Sequence, residues 1–190
     1  MMMRAILFST LIFTFVGCKQ DQSPKESAPK TPTSTPKIEV KADGLAYVVG
    51  DTDPFTGSVK KVDTKGNLLF ERPFTAGKRN GIERRFVPGE PPILELEITW
   101  KEGEKILHID YWPNGQKKRE GPMRNGVLFG LVQKWYEDGA LRFRATYDEN
   151  FKWHGHAYDR DDDRNLMWDA EFNHGKYVSG HHPADFVPKP

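Results

Sequence analysis

Three sets of residues recur in this chain with one shared spacing of about 24 positions. No other feature limits its possible folds as strongly. Tyr111-Trp112-Pro113-Asn114-Gly115 returns 24 positions later as Trp135-Tyr136-Glu137-Asp138-Gly139. Gly57 returns as Gly81, skips one copy to Gly130, and returns as Gly155. A third series runs Gly77, Gly103, Gly126, Asn150, Gly175, in steps of 26, 23, 24 and 25. A fixed period of roughly 20–50 residues marks a repeat architecture, in which one supersecondary unit stacks on its neighbours.

Each period divides into two short runs separated by turn residues. One turn series is Asp63-Thr64-Lys65-Gly66-Asn67, Pro88-Gly89-Glu90, Pro113-Asn114-Gly115, Glu137-Asp138-Gly139 and Asp163-Arg164-Asn165. Asn-Gly and Asp-Gly there predict two-residue type I′ turns, because both central positions of that turn need positive φ. The other turns carry the third glycine series. Between turns the runs alternate. In Leu94-Glu95-Leu96-Glu97-Ile98-Thr99-Trp100 the apolar residues fall on one face and the glutamates on the other. Leu141-Arg142-Phe143-Arg144-Ala145-Thr146-Tyr147 behaves likewise. Period-2 patterning means half-buried strands. Connections this short exclude the crossovers that parallel strands need. The expected fold is all-β: a single-layer antiparallel meander of about five ~24-residue hairpin repeats, with about ten strands. Glycines 57, 81, 130 and 155 fall inside strands, where they mark bends. A bend at one place in every hairpin would curve the sheet into a concave face. Two candidate aromatic rows line it: Phe86, Trp112, Tyr136 and Tyr158, and Phe74, Trp100, Tyr147 and Phe172.

The N-terminus reads as an address. Arg4 precedes the apolar run Ala5–Gly17, which fits a secretory signal and is shorter than the roughly 20 residues a membrane helix takes. The run ends in Phe15-Val16-Gly17-Cys18, which resembles a bacterial lipobox. That resemblance implies cleavage after Gly17 and lipid on Cys18, the only cysteine in the chain. Lys19 follows, and the resemblance then implies the outer membrane if the host is Gram-negative, or the outer face of the single membrane if it is Gram-positive. Two or three acyl chains anchor stably, since each buried CH₂ contributes about 0.8 kcal/mol. Pro24, Pro29, Pro32 and Pro36 among Ser, Thr and Lys predict a disordered, extended tether. The resulting division is 1–17 signal peptide, 18–43 lipidated cysteine and linker, 44–178 repeat domain and 179–190 tail.

The repeat body resembles MORN repeats, more closely the bacterial MORN-variant type (the YwqK-like antitoxin repeat family). Tyr111-Trp112-Pro113-Asn114-Gly115-Gln116-Lys117 carries the resemblance, as do Gly126-Val127-Leu128-Phe129-Gly130 and Gly77-Lys78-Arg79-Asn80-Gly81. The second period departs, with Pro88-Gly89-Glu90-Pro91-Pro92 in place of Asn-Gly and Lys105 in place of a glycine. The resemblance implies a binding module, with an antitoxin that neutralises a toxin as an alternative.

Composition narrows the chemistry. Lys+Arg is 28 against 27 Asp+Glu, and this balance gives no case for nucleic acid, which needs a basic footprint. One cysteine excludes an intramolecular disulfide and cysteine-based zinc modules. Beyond the tether the serines are Ser58 and Ser179, neither in a nucleophile elbow. No phosphate loop or dinucleotide fingerprint points to a cofactor. Asp159-Arg160-Asp161-Asp162-Asp163 starts like a calcium loop, but Arg164 and Ala170 stand where the required Gly and Glu would be. His154 and His156 are two apart on a strand, so they could share a metal in an envelope hydrolase, the second alternative. The favoured reading is a non-catalytic, lipid-anchored envelope scaffold. It meets the membrane through Cys18 and another envelope protein through Trp112, Trp135, Tyr136 and Tyr158.

Overall fold

Local pairing accounts for the whole architecture. A computed structural model describes residues 35–181, all within one structural unit. The signal peptide, Cys18, most of the linker and residues 182–190 lie outside the described residues.

The strands are β1 (Ile38–Val40), β2 (Ala46–Val48), β3 (Gly57–Val62), β4 (Leu68–Thr75), β5 (Lys78–Arg79), β6 (Gly81–Val87), β7 (Ile93–Lys101) and β8 (Glu104–Tyr111). There follow β9 (Lys117–Arg124), β10 (Val127–Leu128), β11 (Gly130–Trp135), β12 (Leu141–Tyr147), β13 (Gly155–Arg160), β14 (Leu166–Asn173) and β15 (Lys176–His181). β3 to β15 form one 13-stranded antiparallel sheet that follows chain order from one edge to the other and does not close. The protein is thus an open all-β meander, with no helix among the described residues. β1 and β2 make a separate two-stranded ladder. Its Ala46 N–H donates to the Gly77 carbonyl, and Thr35 Oγ1 donates to the Lys60 carbonyl on the edge strand. The ordered chain therefore begins before residue 44, inside the segment expected to be tether, and β15 carries the sheet past residue 178.

The two turn series differ in geometry, and not as the sequence predicts. Ala76-Gly77, Glu102-Gly103, Asn125-Gly126 and His174-Gly175 each join strands across two residues, both at positive φ (46° and 77° in the first). These are the type I′ turns. Asn114-Gly115 and Asp138-Gly139 are not. Trp112 N–H donates to Gln116 O and Gly115 N–H to Trp112 O, and Tyr136, Ala140 and Gly139 repeat the pattern. These are three-residue loops, a type I turn closed by one left-handed glycine. Asn114 and Asp138 serve another purpose: each carboxyl or amide oxygen accepts a backbone N–H two residues on, 3.0 Å in both cases.

After each loop of the first series one residue bulges out of register: Leu69, Glu95, Lys118, Arg142 and Met167. Their steps are 26, 23, 24 and 25, those of the third glycine series. The bulges carry the period into the strands and increase local twist. Glycines 81, 130 and 155 begin strands just after a break in the ladder, at φ 106°, 69° and 83°. Where Lys105 replaces the expected glycine, β8 continues as one strand, with Ile106 bulging out of register beside it. Around Gly155 nothing lies within 4 Å of an added Cβ, so the backbone conformation, not crowding, requires glycine there.

Cross-strand partners define two faces. On the packed face one row runs Glu83, Ile98, His108, then Gly121, Val132, Ala145, Ala157 and Ala170. The small residues of its C-terminal half let Phe143, Trp153, Trp168 and Phe172 lie against the sheet, all at most 5% exposed. The Trp153 and Trp168 rings stack at 5.1 Å, and Phe172 meets Trp153 edge-on at 5.1 Å. Such pairs add about 0.5–1.5 kcal/mol each beyond their burial. The opposite face carries a charge ladder, including Lys60–Glu71 at 3.1 Å and Arg84–Glu97 at 2.8 Å.

The glycine kinks yield a direct test. An added Cβ at Gly81 would adopt φ 106° and approach Pro73 Cγ to 3.2 Å. Gly81→Ala should lower unfolding free energy by about 1–3 kcal/mol in urea titration. An unchanged midpoint would show that the kink does not need glycine.

Candidate functional site

The aromatic rows resolve differently from expectation. Phe74, Trp100, Tyr147 and Phe172 do form one row, each opposite a strand glycine or its neighbour: Gly57, Gly81, Gly130 and Gly155. The other predicted row is not one row. Trp112 and Tyr136 hold matching loop positions, whose next equivalent is Asp161. Phe86 matches Trp135, one residue earlier, and Tyr158 sits mid-strand between Arg144 and Asp169 on the opposite face. The bulges shift the count between strand and loop, so simple 24-residue spacing misassigns these residues.

Among the predicted binding residues, Trp112, Trp135 and Tyr136 come together at one end of the sheet. There they tie repeats to one another. Trp112 Nε1 donates to Trp135 O at 3.0 Å, and Tyr136 OH donates to Asp161 O at 2.5 Å. Asn114 Nδ2 donates to Glu137 O in the same way. The predicted histidine pair separates. The kink at Gly155 leaves His154 against His174, the rings tilted at 33° with centroids 4.6 Å apart, while His156 Nε2 meets Asp169 Oδ1 at 2.5 Å. Asp161 bonds Asn165, and Asp162 pairs with Arg142 at 2.7 Å. No group of three His, Cys, Asp or Glu among the described residues is placed to hold a metal.

The candidate site lies instead in the middle of the packed face. The aromatic row runs Trp100, then Met123, then Tyr147, so the central repeat lacks its ring. A cleft of about 370 Å³ opens there, lined by Lys105, His108, Arg119, Met123, Leu128, Tyr147 and Phe151. A second, of about 320 Å³, lies between Trp100, Glu104, Lys105 and Asn125. Both are lined by Lys105 and Gly126, so together they form one groove across the strands. Gly121 sets part of the floor, since an added Cβ would stand 2.8 Å from Leu128 Cδ2 and 3.0 Å from Val132 Cγ2.

The groove is lined by the basic side chains Lys105, His108 and Arg119 and by one carboxylate, Glu104. His108 Nε2 lies 2.8 Å from Asp110 Oδ1, which requires Nε2–H as the donor. Arg119 Nε lies 2.8 Å from Asp110 Oδ2. Burial alone would raise the Asp110 carboxyl, but the His108 hydrogen bond and the Arg119 charge outweigh it and hold it below its usual value.

Beyond Trp100 the groove meets an unusual cluster. Glu83 occupies the register position that Val132 and Ala157 fill two and three repeats on, and it is 0% exposed. Its Oε1 accepts from Arg72 Nη2 at 3.2 Å and from Arg85 Nε and Nη2 at 3.1 Å. Oε2 accepts from Arg79 Nη1 at 3.2 Å and Trp100 Nε1 at 3.0 Å. Burial is the largest influence on this carboxyl and raises it. The Arg72 charge, hydrogen bonds from Arg85 and Arg72, and the Arg79 charge together prevail, so the group stays below its ordinary value. Arg79 lies 4.5 Å over the Trp100 ring, and Lys105 Nζ lies 5.4 Å from the same centroid. Composition and alternation give no hint of this cluster. Aligning the chain on its period would have shown a glutamate where an aliphatic belongs.

No protein-family model, curated protein or solved structure matches the chain.

Removing the Glu83 charge leaves three guanidiniums facing one another. Glu83→Gln should therefore cost about 3–5 kcal/mol of stability. Because the folded-state pKa is depressed, the Glu83 contribution is complete above its unfolded value near 4.5 and is lost as pH falls through its folded value. Denaturation from pH 7 to 3 should show the gap between wild type and Glu83→Gln steady above about pH 5 and shrinking below. A gap that widens on acidification would contradict this assignment.

Proposed function

We propose that this chain is a lipid-anchored protein of a bacterial cell envelope whose repeat sheet acts as a non-catalytic protein-binding scaffold. The observation that carries the reading is the groove: an indentation on an otherwise regular sheet, formed where the repeat omits its aromatic. Repeat sheets bury little interior, so a missing ring opens the surface rather than leaving an internal void. Trp100 and Tyr147 stand at its two ends, and aromatic residues beside basic ones are the usual anchors at protein interfaces. The lipobox-like Phe15-Val16-Gly17-Cys18 and the proline-rich segment after it support an anchor and a tether. The MORN-variant resemblance in 55–178 supports binding as the role of the body.

Two measurements test this reading. Labelled palmitate should enter the wild-type chain in a bacterial host and not Cys18→Ser. Label in both, or in neither, would remove the anchor from the account. In intact envelopes, p-benzoylphenylalanine in place of Met123 should give a discrete crosslinked protein adduct, and the same group in place of exposed Arg144 on the opposite face should give none. Equal adducts from both positions, or none from either, would contradict a scaffold acting through the groove.

A further inference from the structure

Resting on the scaffold reading, we infer that the groove takes an acidic, extended polypeptide segment of its partner. The segment lies across the strands, with carboxylates on Arg72, Arg79, Arg85 and Lys105 and apolar side chains between Trp100 and Tyr147.

The near-neutral chain conceals an uneven distribution of charge. Between β4 and β12 the packed face presents Arg72, Arg79, Arg85, Lys105, Arg119 and Lys134 against Glu83, Asp110 and the groove-lining Glu104. The opposite face alternates its signs and largely cancels. Glu83 neutralises one of three arginines, so two positive charges remain at the cluster. Lys105 lines the same cleft as Glu104, and Arg119 is balanced by Asp110, so the excess positive charge sits at the arginine cluster.

These cations are held ready for a ligand. A guanidinium has five N–H donors, and the three arginines together spend four donor atoms on Glu83. Their side chains remain 24%, 33% and 45% exposed, so donors other than the buried Arg72 Nε are reachable. Glu83 fixes the guanidiniums from below, which reduces the ordering cost of binding. Planar forks of this kind match carboxylates in bidentate fashion.

Dimensions fit a peptide. From β6 to β12 there are five strand spacings of about 4.8 Å, or roughly 24 Å. An extended segment rising about 3.3 Å per residue covers that span in about seven residues. The walls formed by Met123, Leu128, Tyr147 and Phe151 suit apolar side chains between acidic ones. A bilayer surface calls for protruding cations, whereas these are drawn onto the sheet by Glu83 and Trp100.

The test is fluorescence anisotropy on the full-length chain in detergent, with labelled Glu-Leu-Glu-Phe-Glu-Leu-Glu and the same peptide with Lys for Glu. The acidic peptide should bind and the basic one should not. Lys105→Glu should weaken binding by about tenfold, and Arg144→Glu, the same charge change on the other face, by less than about twofold. Binding of both peptides, or equal loss in both variants, would overturn the inference by reducing it to net charge. So would uptake by phosphatidylglycerol vesicles that Lys105→Glu abolishes while the peptide stays unbound. If Lys105→Glu fails to unfold cooperatively, Lys105→Gln takes its place, with a smaller loss expected in the same order. A crosslink through Met123 without acidic-peptide binding would leave the scaffold standing and remove this inference alone. Loss of both would remove both.

Discussion

Register in this sheet is imposed at its turns. Among the described residues every strand pairs with its chain neighbours, so no distant strand pairing corrects a slip. A one-residue slip would send every buried side chain to the wrong face. Two left-handed residues close each type I′ turn and one closes each three-residue loop, and a bulge follows each loop of the first series. These backbone constraints recur with the sequence period because each unit must reproduce them. The loop edge adds a second layer of fixing, as Trp112, Asn114 and Tyr136 each bond the backbone of the following unit.

The same register is filled by two kinds of chemistry. In the C-terminal half, Ala145, Ala157 and Ala170 provide a flat floor and aromatic rings cover it. The driving force there is burial of apolar surface. In the N-terminal half a buried carboxylate gathers three guanidiniums and an indole N–H. Ion pairs of this sort seldom stabilise more than a well-packed apolar core would. Their retention fits a surface that must stay charged and ordered. Between the two halves the central repeat has neither arrangement, and the groove lies there.

Much of this was legible in the residues. The period fixed the class of architecture, and alternation in 93–101 and 141–147 placed Ile98, Trp100, Phe143 and Ala145 on the buried face. Turn chemistry was harder to read. Asn-Gly is compatible with two loop types, and the number of residues left for the loop, set by the bulge, decides between them. Bulges have no fixed residue, as Leu69, Glu95 and Lys118 show, so aromatics near them were placed one position out. Glu83 was invisible because a strand glutamate beside arginines reads as surface. The end of the tether was misplaced because Ile38–Val40 gains its pairing only from Ala46–Val48.

If register and stability are local, the sheet should accept another unit. Inserting a second copy of residues 130–154 after His154 restores the phase at Gly155 and retains the existing glycine-to-glycine spacing. Guanidinium denaturation of the lengthened chain should show one cooperative transition, a midpoint no lower than the parent's, and a steeper slope in keeping with the added buried surface. A chain that loses cooperative unfolding, or melts well below the parent, would show that the sheet depends on contacts reaching beyond neighbouring units.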